Sequence, residues 1–107
     1  MDNEKVYSIR HHEVFEAWFN KLEKRDSVAY AWVDRRLRQI EEKGLLGDCW
    51  CVGDGVWELR FHYKAGFRIY YIWHGLEIII LLCGGIKASQ ERDIELAKQL
   101  AKEKCDA

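Results

Sequence analysis

The sequence predicts a single α+β domain in which three helices lie against one side of a curled antiparallel sheet. Apolar residues recur at steps of three and four before Gly44 and at steps of two after Gly47. The 107 residues are 49% hydrophobic, 13% aromatic and 33% charged, with no proline, which is the profile of one soluble, sheet-containing domain with one core. We expect the other side of the sheet to be open.

The first half of the chain contains a short strand and two helices. Residues 4–9 (EKVYSI) alternate between polar and apolar, which predicts the first strand. Between His12 and Leu22 the apolar residues follow the helical period, which predicts a helix with one buried face. A second helix begins at Asp26 as N-cap and ends at Gly44 in a left-handed conformation. The short turn EKRD predicts a helical hairpin.

The second half contains four successive antiparallel strands and a last helix. The segments CWCV, VWELRFHY, FRIYYIWH and LEIIILLC are separated by the turns GDG, KAG and HG. The last segment is uniformly apolar, so we expect it to be buried on both faces. The run GGIKA then ends the sheet, and Ser89 caps a third helix with the apolar residues Ile94, Ala97, Leu100 and Ala101 on one face.

Alternation of side chains places a polar patch on one face of this sheet. Arg60, His62, Arg68 and Tyr70 point to one face, and the expected core residues of the same strands point to the other: Trp57, Leu59, Phe61, Tyr63, Phe67, Ile69, Tyr71 and Trp73. If KAG forms a three-residue loop, His62 pairs with Arg68 and Arg60 pairs with Tyr70. The helices need an apolar face to pack on, so the patch is expected on the open, concave side.

This patch predicts an anion-binding site. Clustered cations are unfavourable without a partner, and Arg binds phosphate with a forked geometry. A Tyr and a His add stacking and proton-transfer groups, which suits single-stranded nucleic acid and phosphodiester chemistry. Lys87 and Gln90 follow the buried strand and are expected near the rim. The alternative is a solvated sheet face on which Glu58 balances Arg60.

Composition and motifs disfavour several other classes. With a net charge of −1, the chain has no overall excess of positive charge that would indicate nucleic-acid binding. Positive charge for RNA binding must therefore be concentrated on one face. The polar start MDNEKVYSIRHHE is unlike a signal peptide and the apolar run 78–83 is too short to span a bilayer, which predicts a cytoplasmic protein. HHEVF lacks the second His of H-E-x-x-H, so no metal and no cofactor are expected. The four cysteines form no C-x-x-C pair and are expected to be free thiols.

The runs GDGVWELRFHYKAGFRIYYIW and IIILLCGGIKASQERDIELAKQLA resemble a known family. They look like the addiction-module killer proteins, the phage-derived, Gp49-like and HigB-type branch of the RelE/ParE toxin superfamily. The shared pattern covers residues 53–94, and the order of elements fits nearly the whole chain. The resemblance implies one RelE/ParE-like domain over residues 1–107, with an N-terminal helical hairpin and a C-terminal helix packed on one face of a curled antiparallel sheet.

The resemblance also implies a function. Many members of the superfamily are ribosome-dependent endoribonucleases that cut mRNA, whereas ParE-like members inhibit DNA gyrase. The expected function is therefore a type II toxin that cleaves mRNA without a metal, and the alternative is a non-catalytic inhibitor of a protein target such as gyrase. By position in the pattern, the implied catalytic residues are Arg60, Arg68, Tyr70 and Lys87, and the implied RNA-binding residues are His62, Gln90 and Arg92.

The implied partners are a helix-turn-helix, HigA-like antitoxin, the ribosome and mRNA, with no membrane and a possible hetero-oligomer with the antitoxin. Two positions depart from the family pattern. Ile86 stands where the family commonly has an acidic residue, and the strand CWC lacks a Lys that is frequent there.

Overall fold

The computed structural model describes residues 5–106, which contain five strands and three α-helices in the predicted order. In chain order these are β1 (Ser8–His11), α1 (Glu13–Arg25), α2 (Ser27–Lys43), β2 (Cys49–Gly53), β3 (Val56–Arg60), β4 (Phe67–His74), β5 (Ile78–Ile86) and, after a 3₁₀ turn at Lys87–Ser89, α3 (Gln90–Asp106). Within this range no helix is long and apolar enough to cross a membrane.

The sheet is mixed, not wholly antiparallel. Its strand order is β1-β5-β4-β3-β2. Strands β2 to β5 form the predicted antiparallel succession, but β1 pairs parallel to β5. The predicted first strand, residues 4–9, was placed too early, and residue 4 lies outside the described range. Val6 N instead donates to Glu41 O at 2.6 Å near the end of α2, so the strand begins only at Ser8.

Helices α1 and α2 form the predicted hairpin on one face of the sheet. Asp26 alone joins them, and its Oδ1 accepts a hydrogen bond from Ala29 N at 3.1 Å, which confirms the N-cap. Gly44 ends α2 with a left-handed φ of 69°. His12 caps α1 by accepting a hydrogen bond from Val14 N at 3.0 Å. The core on this side contains Phe15, Phe19, Leu22, Ala29, Val33, Leu37, Ile40, Leu59, Phe61, Ile69, Tyr71, Ile79 and Leu81.

Helix α3 covers the face of the sheet that was expected to be open. Its residues Ala97, Leu100 and Ala101 pack with Tyr70 and Ile72 of β4 in a second core. The prediction that all helices lie on one side was therefore wrong. The physical reason is that β4 carries apolar or aromatic side chains on both faces, and a strand of this kind is stable only when both faces are covered.

Strand β5 continues through Gly84 and Gly85, where a break was predicted. A Cβ on Gly84 would lie 2.5 Å from the Trp18 ring of α1, and a Cβ on Gly85 would overlap the Asp93 carboxylate of α3. Glycine in a strand often marks the close approach of another element. The two glycines let helices approach β5 from both sides, so they continue the strand instead of ending it.

The start of α3 also differs from the prediction. Ser89 lies in the 3₁₀ turn, and α3 begins at Gln90. The Ser89 hydroxyl donates to Asp93 Oδ2 at 2.5 Å. Ser89 thus orients the buried Asp93 in the first turn of α3 and does not act as a simple N-cap.

The cysteines whose side chains are described are free thiols, as predicted: Cys49, Cys51 and Cys83. Cys83 is buried in β5, and burial raises the pKa of its thiol to about 12. A thiol with this pKa is almost wholly protonated at neutral pH, so Cys83 acts as a core residue.

Candidate functional site

The polar patch is built on β3 and β4, in a register that differs from the predicted one. Arg60 pairs with Arg68, and Glu58 pairs with Tyr70. The predicted pairs of His62 with Arg68 and Arg60 with Tyr70 were wrong because the strand ends at Arg60 and the loop spans residues 61–66. The shift is an even number of residues, so the side chains still point to the predicted face.

Arg68 is a buried cation without an ion-pair partner in the described part of the chain. The residue is 8% exposed, its Nε has no hydrogen-bond partner, and the ion pairs found in residues 5–106 do not involve it. Burying an unpaired charge is unfavourable. A planar guanidinium that retains unused donors is well suited to bind an anion such as phosphate.

Glu58 holds Arg60 and Gln90 in place. Its side chain is fully buried and accepts hydrogen bonds from Arg60 Nε at 2.6 Å and from Gln90 Nε2 at 2.8 Å. Burial disfavours the ionised carboxylate, but these hydrogen bonds outweigh it, so the pKa of Glu58 lies below its ordinary value. The predicted balance of Glu58 and Arg60 is present, but it is a buried contact and not a solvated surface pair.

Tyr70 lies beneath α3 and is fully buried. Its hydroxyl has no hydrogen-bond partner of normal geometry among the residues that the structure describes. Burial and the neighbouring Glu58 carboxylate raise the pKa of Tyr70 well above its usual range. A side chain in this position does not stack on an RNA base, and its hydroxyl is a poor proton acceptor. The structure therefore does not support the role expected for Tyr70.

Lys87, Gln90 and Arg92 line one cleft at the start of α3. This cleft has a volume of about 640 Å³ and is formed by residues 86–92. Lys87 and Arg92 are exposed, whereas Gln90 is half-buried and bound to Glu58. Ile86 pairs with Phe67, the neighbour of Arg68 in β4. The cations of the cleft thus lie at the same end of the sheet as Arg68.

His62 lies in the loop after β3, outside the patch around Arg68. Its side chain is 80% exposed, and its Nε2 is 2.7 Å from Asp48 Oδ2. The contact with His62 lowers the pKa of the Asp48 carboxyl. Asp48, Arg60 and His62 line a second cleft of about 730 Å³ between α2 and the end of β3. His62 therefore shares this cleft with Arg60.

Three residues that support the site were not identified from the sequence: Arg36, Asp48 and Trp50. Arg36 of α2 donates to the backbone carbonyls of Leu46, Asp48 and Arg60 and so holds the segment before β2 against the end of β3. Its spacing from Val33 and Ile40 places it on the apolar stripe of α2. This position indicates that Arg36 packs against the sheet and does not extend into solvent. Asp48 and Trp50 had no such indication, because their contacts depend on how the chain folds.

The pH dependence of stability should reveal the buried Glu58. A carboxyl whose folded pKa is lowered contributes stability above its ordinary value of 4.5, and this contribution is lost as the pH falls through the folded pKa. Glu58→Gln is expected to lower the free energy of unfolding by about 1–3 kcal/mol at pH 7. Between about pH 5 and pH 3, the free energy of unfolding should fall less steeply for Glu58→Gln than for the wild-type protein.

The measurement is urea unfolding of both proteins across this pH range. Glu77→Gln, in the exposed turn between β4 and β5, serves as the control and should leave the profile unchanged. If the free energy of unfolding depends on pH in the same way for the wild-type protein and for Glu58→Gln, the buried carboxylate is not held ionised by its partners.

Comparison with known proteins identifies the family. An uncharacterized protein of Haemophilus influenzae (strain Rd) is 38% identical over 89 residues, which cover 83% of this chain and 87% of that protein. The family described as phage derived protein Gp49-like (DUF891) matches residues 17–102, from within α1 to within α3. The matched region contains every residue of the candidate site. The chain therefore belongs to the phage-derived Gp49-like protein family, a family associated with toxin–antitoxin systems.

Proposed function

We propose that this protein is the toxin of a type II toxin–antitoxin module and acts as a ribosome-dependent endoribonuclease on mRNA. The observation that carries the proposal is Arg68, a buried guanidinium with no partner among the described residues, opposite Arg60 in the sheet. The ion pairs found among residues 5–106 do not use its charge. A phosphodiester supplies the missing anion.

The proposed reaction is an internal transfer at phosphorus. The 2′-oxygen of the RNA attacks the adjacent phosphate, a bond forms between this oxygen and phosphorus, and the bond from phosphorus to the 5′-oxygen breaks. The proton of the 2′-hydroxyl goes to a general base, and the leaving 5′-oxygen takes up a proton from water. The products are a cyclic phosphate and a 5′-hydroxyl, and the step requires no redox partner.

Charge stabilisation is the part of this mechanism that the cations supply. Arg68 and Lys87 bind the phosphate and stabilise the charge that develops on it, which is often the largest single contribution to catalysis. Arg60, held by Glu58, supports them from the neighbouring strand. Arg92 binds the RNA backbone, and Gln90 acts by holding Glu58 and Arg60.

His62 is a better proton acceptor in this proposal than Tyr70. Its ring is exposed, and Asp48 holds one ring nitrogen at 2.7 Å. A carboxylate in contact with an imidazole orients the ring and fixes which of its nitrogens faces the substrate. Tyr70 then keeps a supporting role in the core beneath α3.

A toxin of this kind requires an antidote, so we propose a small helix-turn-helix antitoxin as its partner. The antitoxin would neutralise the toxin and form a hetero-oligomer with it. Co-expression with the neighbouring reading frame is expected to restore growth of cells that produce the toxin.

Induction of the protein in growing cells, followed by mapping of mRNA ends on stalled ribosomes, tests the function. The expected result is new 5′-hydroxyl ends within codons in the ribosomal A site. Cleavage should be absent on induction of Arg68→Met. Intact mRNA combined with inhibited supercoiling by DNA gyrase would overturn the proposal in favour of the non-catalytic alternative.

A further inference from the structure

Trp50 lies on the edge strand of the sheet, beside the candidate site. The side chain belongs to β2, the outermost strand next to β3, and Trp50 is directly opposite Glu58. Cross-strand partners share a face, so Trp50 lies on the same face as Arg60 and Arg68. It is 54% exposed. A large aromatic side chain that remains this exposed contributes little to the core.

The Trp50 ring is nevertheless held in a defined orientation. Its Nε1 donates to Asp48 Oδ1 at 2.7 Å, and the other oxygen of the same carboxylate contacts His62. The Arg60 guanidinium lies over the ring, 5.1 Å from the centroid. One carboxylate thus connects an exposed indole to an exposed imidazole, and one arginine connects the indole to the phosphate-binding patch.

We propose that Trp50 is the stacking platform of a nucleobase subsite, formed with Arg60 and oriented by Asp48. The ligand is a base of single-stranded RNA whose phosphate lies at Arg68 and Lys87. An oriented aromatic ring next to cations is the arrangement that binds single-stranded nucleic acid with little sequence preference, because every base has a π-face. The inference rests on the proposed function, since it names the part of the substrate that lies beside the scissile phosphate.

A pair of ligands separates base binding from phosphate binding. We would titrate the protein with a six-nucleotide 2′-O-methyl adenine RNA, which cannot be cleaved, and with its fully abasic counterpart. The wild-type protein should bind the base-containing RNA more tightly, and Trp50→Ala should weaken that complex about tenfold. Affinity for the abasic strand should be the same in both proteins. Trp50→Phe, which retains a ring but loses the bond to Asp48, should give an intermediate value.

An NMR readout, a control variant and the melting temperatures exclude a purely structural explanation. The indole N–H signal of Trp50, assigned by its absence in Trp50→Phe, should shift in the nitrogen–proton NMR spectrum with the base-containing RNA and not with the abasic strand. His74→Ala, at the far end of β4 and also exposed, should bind both ligands as the wild type does. Equal melting temperatures would show that the variants are folded.

The possible failures are distinguishable. If wild type and Trp50→Ala bind the base-containing RNA equally, the subsite is refuted while the proposed function stands, and the exposed ring belongs to a surface for a protein partner. If the wild type binds neither ligand, the subsite is refuted, whereas the proposed function is decided separately by the mapping of mRNA ends on ribosomes. A loss of affinity that is equal for the two ligands would place Trp50 in phosphate binding and overturn the assignment to a base.

Discussion

Replacement of Arg68 with Met is expected to abolish mRNA cleavage and, at the same time, to raise the free energy of unfolding. Arg68 is 8% exposed and its Nε has no hydrogen-bond partner among residues 5–106, so an apolar side chain of similar length removes an unfavourable buried charge. We expect a gain of about 1 kcal/mol in stability. Loss of a charge that stabilises the transition state should lower cleavage by about 10²–10³-fold.

Growth arrest, cleavage on purified ribosomes and urea unfolding measure these effects. Arg68→Lys separates charge from geometry, because Lys keeps the charge but cannot form two parallel hydrogen bonds to phosphate. It should retain only a small part of the activity. Arg38→Met is the matched control, since Arg38 is an exposed residue of α2 paired with Asp34. A destabilised Arg68→Met protein with normal cleavage would identify Arg68 as a structural residue and refute the site.

Replacement of Gly85 with Ala is expected to cause a large loss of stability. The new Cβ would overlap the carboxylate of the buried Asp93 and lie 3.1 Å from Ser89 Oγ. Either the Asp93 side chain would have to rotate and lose its hydrogen bond from Ser89, or strand β5 and the first turn of α3 would have to separate. Overpacking of a well-packed contact costs about 1–3 kcal/mol and occasionally more, and we expect the upper end of this range.

Thermal and urea unfolding test this expectation, and two variants define its cause. Gly55→Ala adds a Cβ with no atom of the described part of the chain within 4 Å, at a left-handed φ of 76°, so it should show only backbone strain of about 1 kcal/mol. The double variant Gly85→Ala, Asp93→Ala should recover part of the loss, with a coupling of about 1–2 kcal/mol. If the stability losses of the two single variants simply add in the double variant, the clash with Asp93 is not the cause of the loss at Gly85.

The two predictions concern neighbouring positions and have opposite signs: Arg68→Met should raise the free energy of unfolding, and Gly85→Ala should lower it. Gly85 is directly opposite Arg68 in the sheet, and the close approach of α3 to Gly85 brings Gln90 to Glu58. The packing that buries Arg68 therefore also positions its neighbours. We expect the buried charge of Arg68 to lower the free energy of unfolding and the packing of α3 on β5 to raise it. This combination is common where a side chain is retained for function.

The sequence alone determined the local elements and the face to which each side chain points. Asp26 and Gly44 marked the ends of α2 because capping is a local interaction between a side chain or a backbone conformation and the adjacent turn. Alternation placed Arg60 and Arg68 on one face because it has a fixed period of two. The resemblance to Gp49-like proteins was confirmed at the level of the family.

Only the tertiary structure decided the register of β3 and β4, the parallel pairing of β1, and the cover on the second face. Each depends on contacts between distant parts of the chain. Arg60 opposes Arg68, and β3 ends where Arg36 binds the Arg60 carbonyl. Periodicity along one strand encodes neither contact. Helix α3 buries Tyr70 because both faces of β4 require cover, so the exposed aromatic ring beside the cations is Trp50, at the uncovered edge of the sheet.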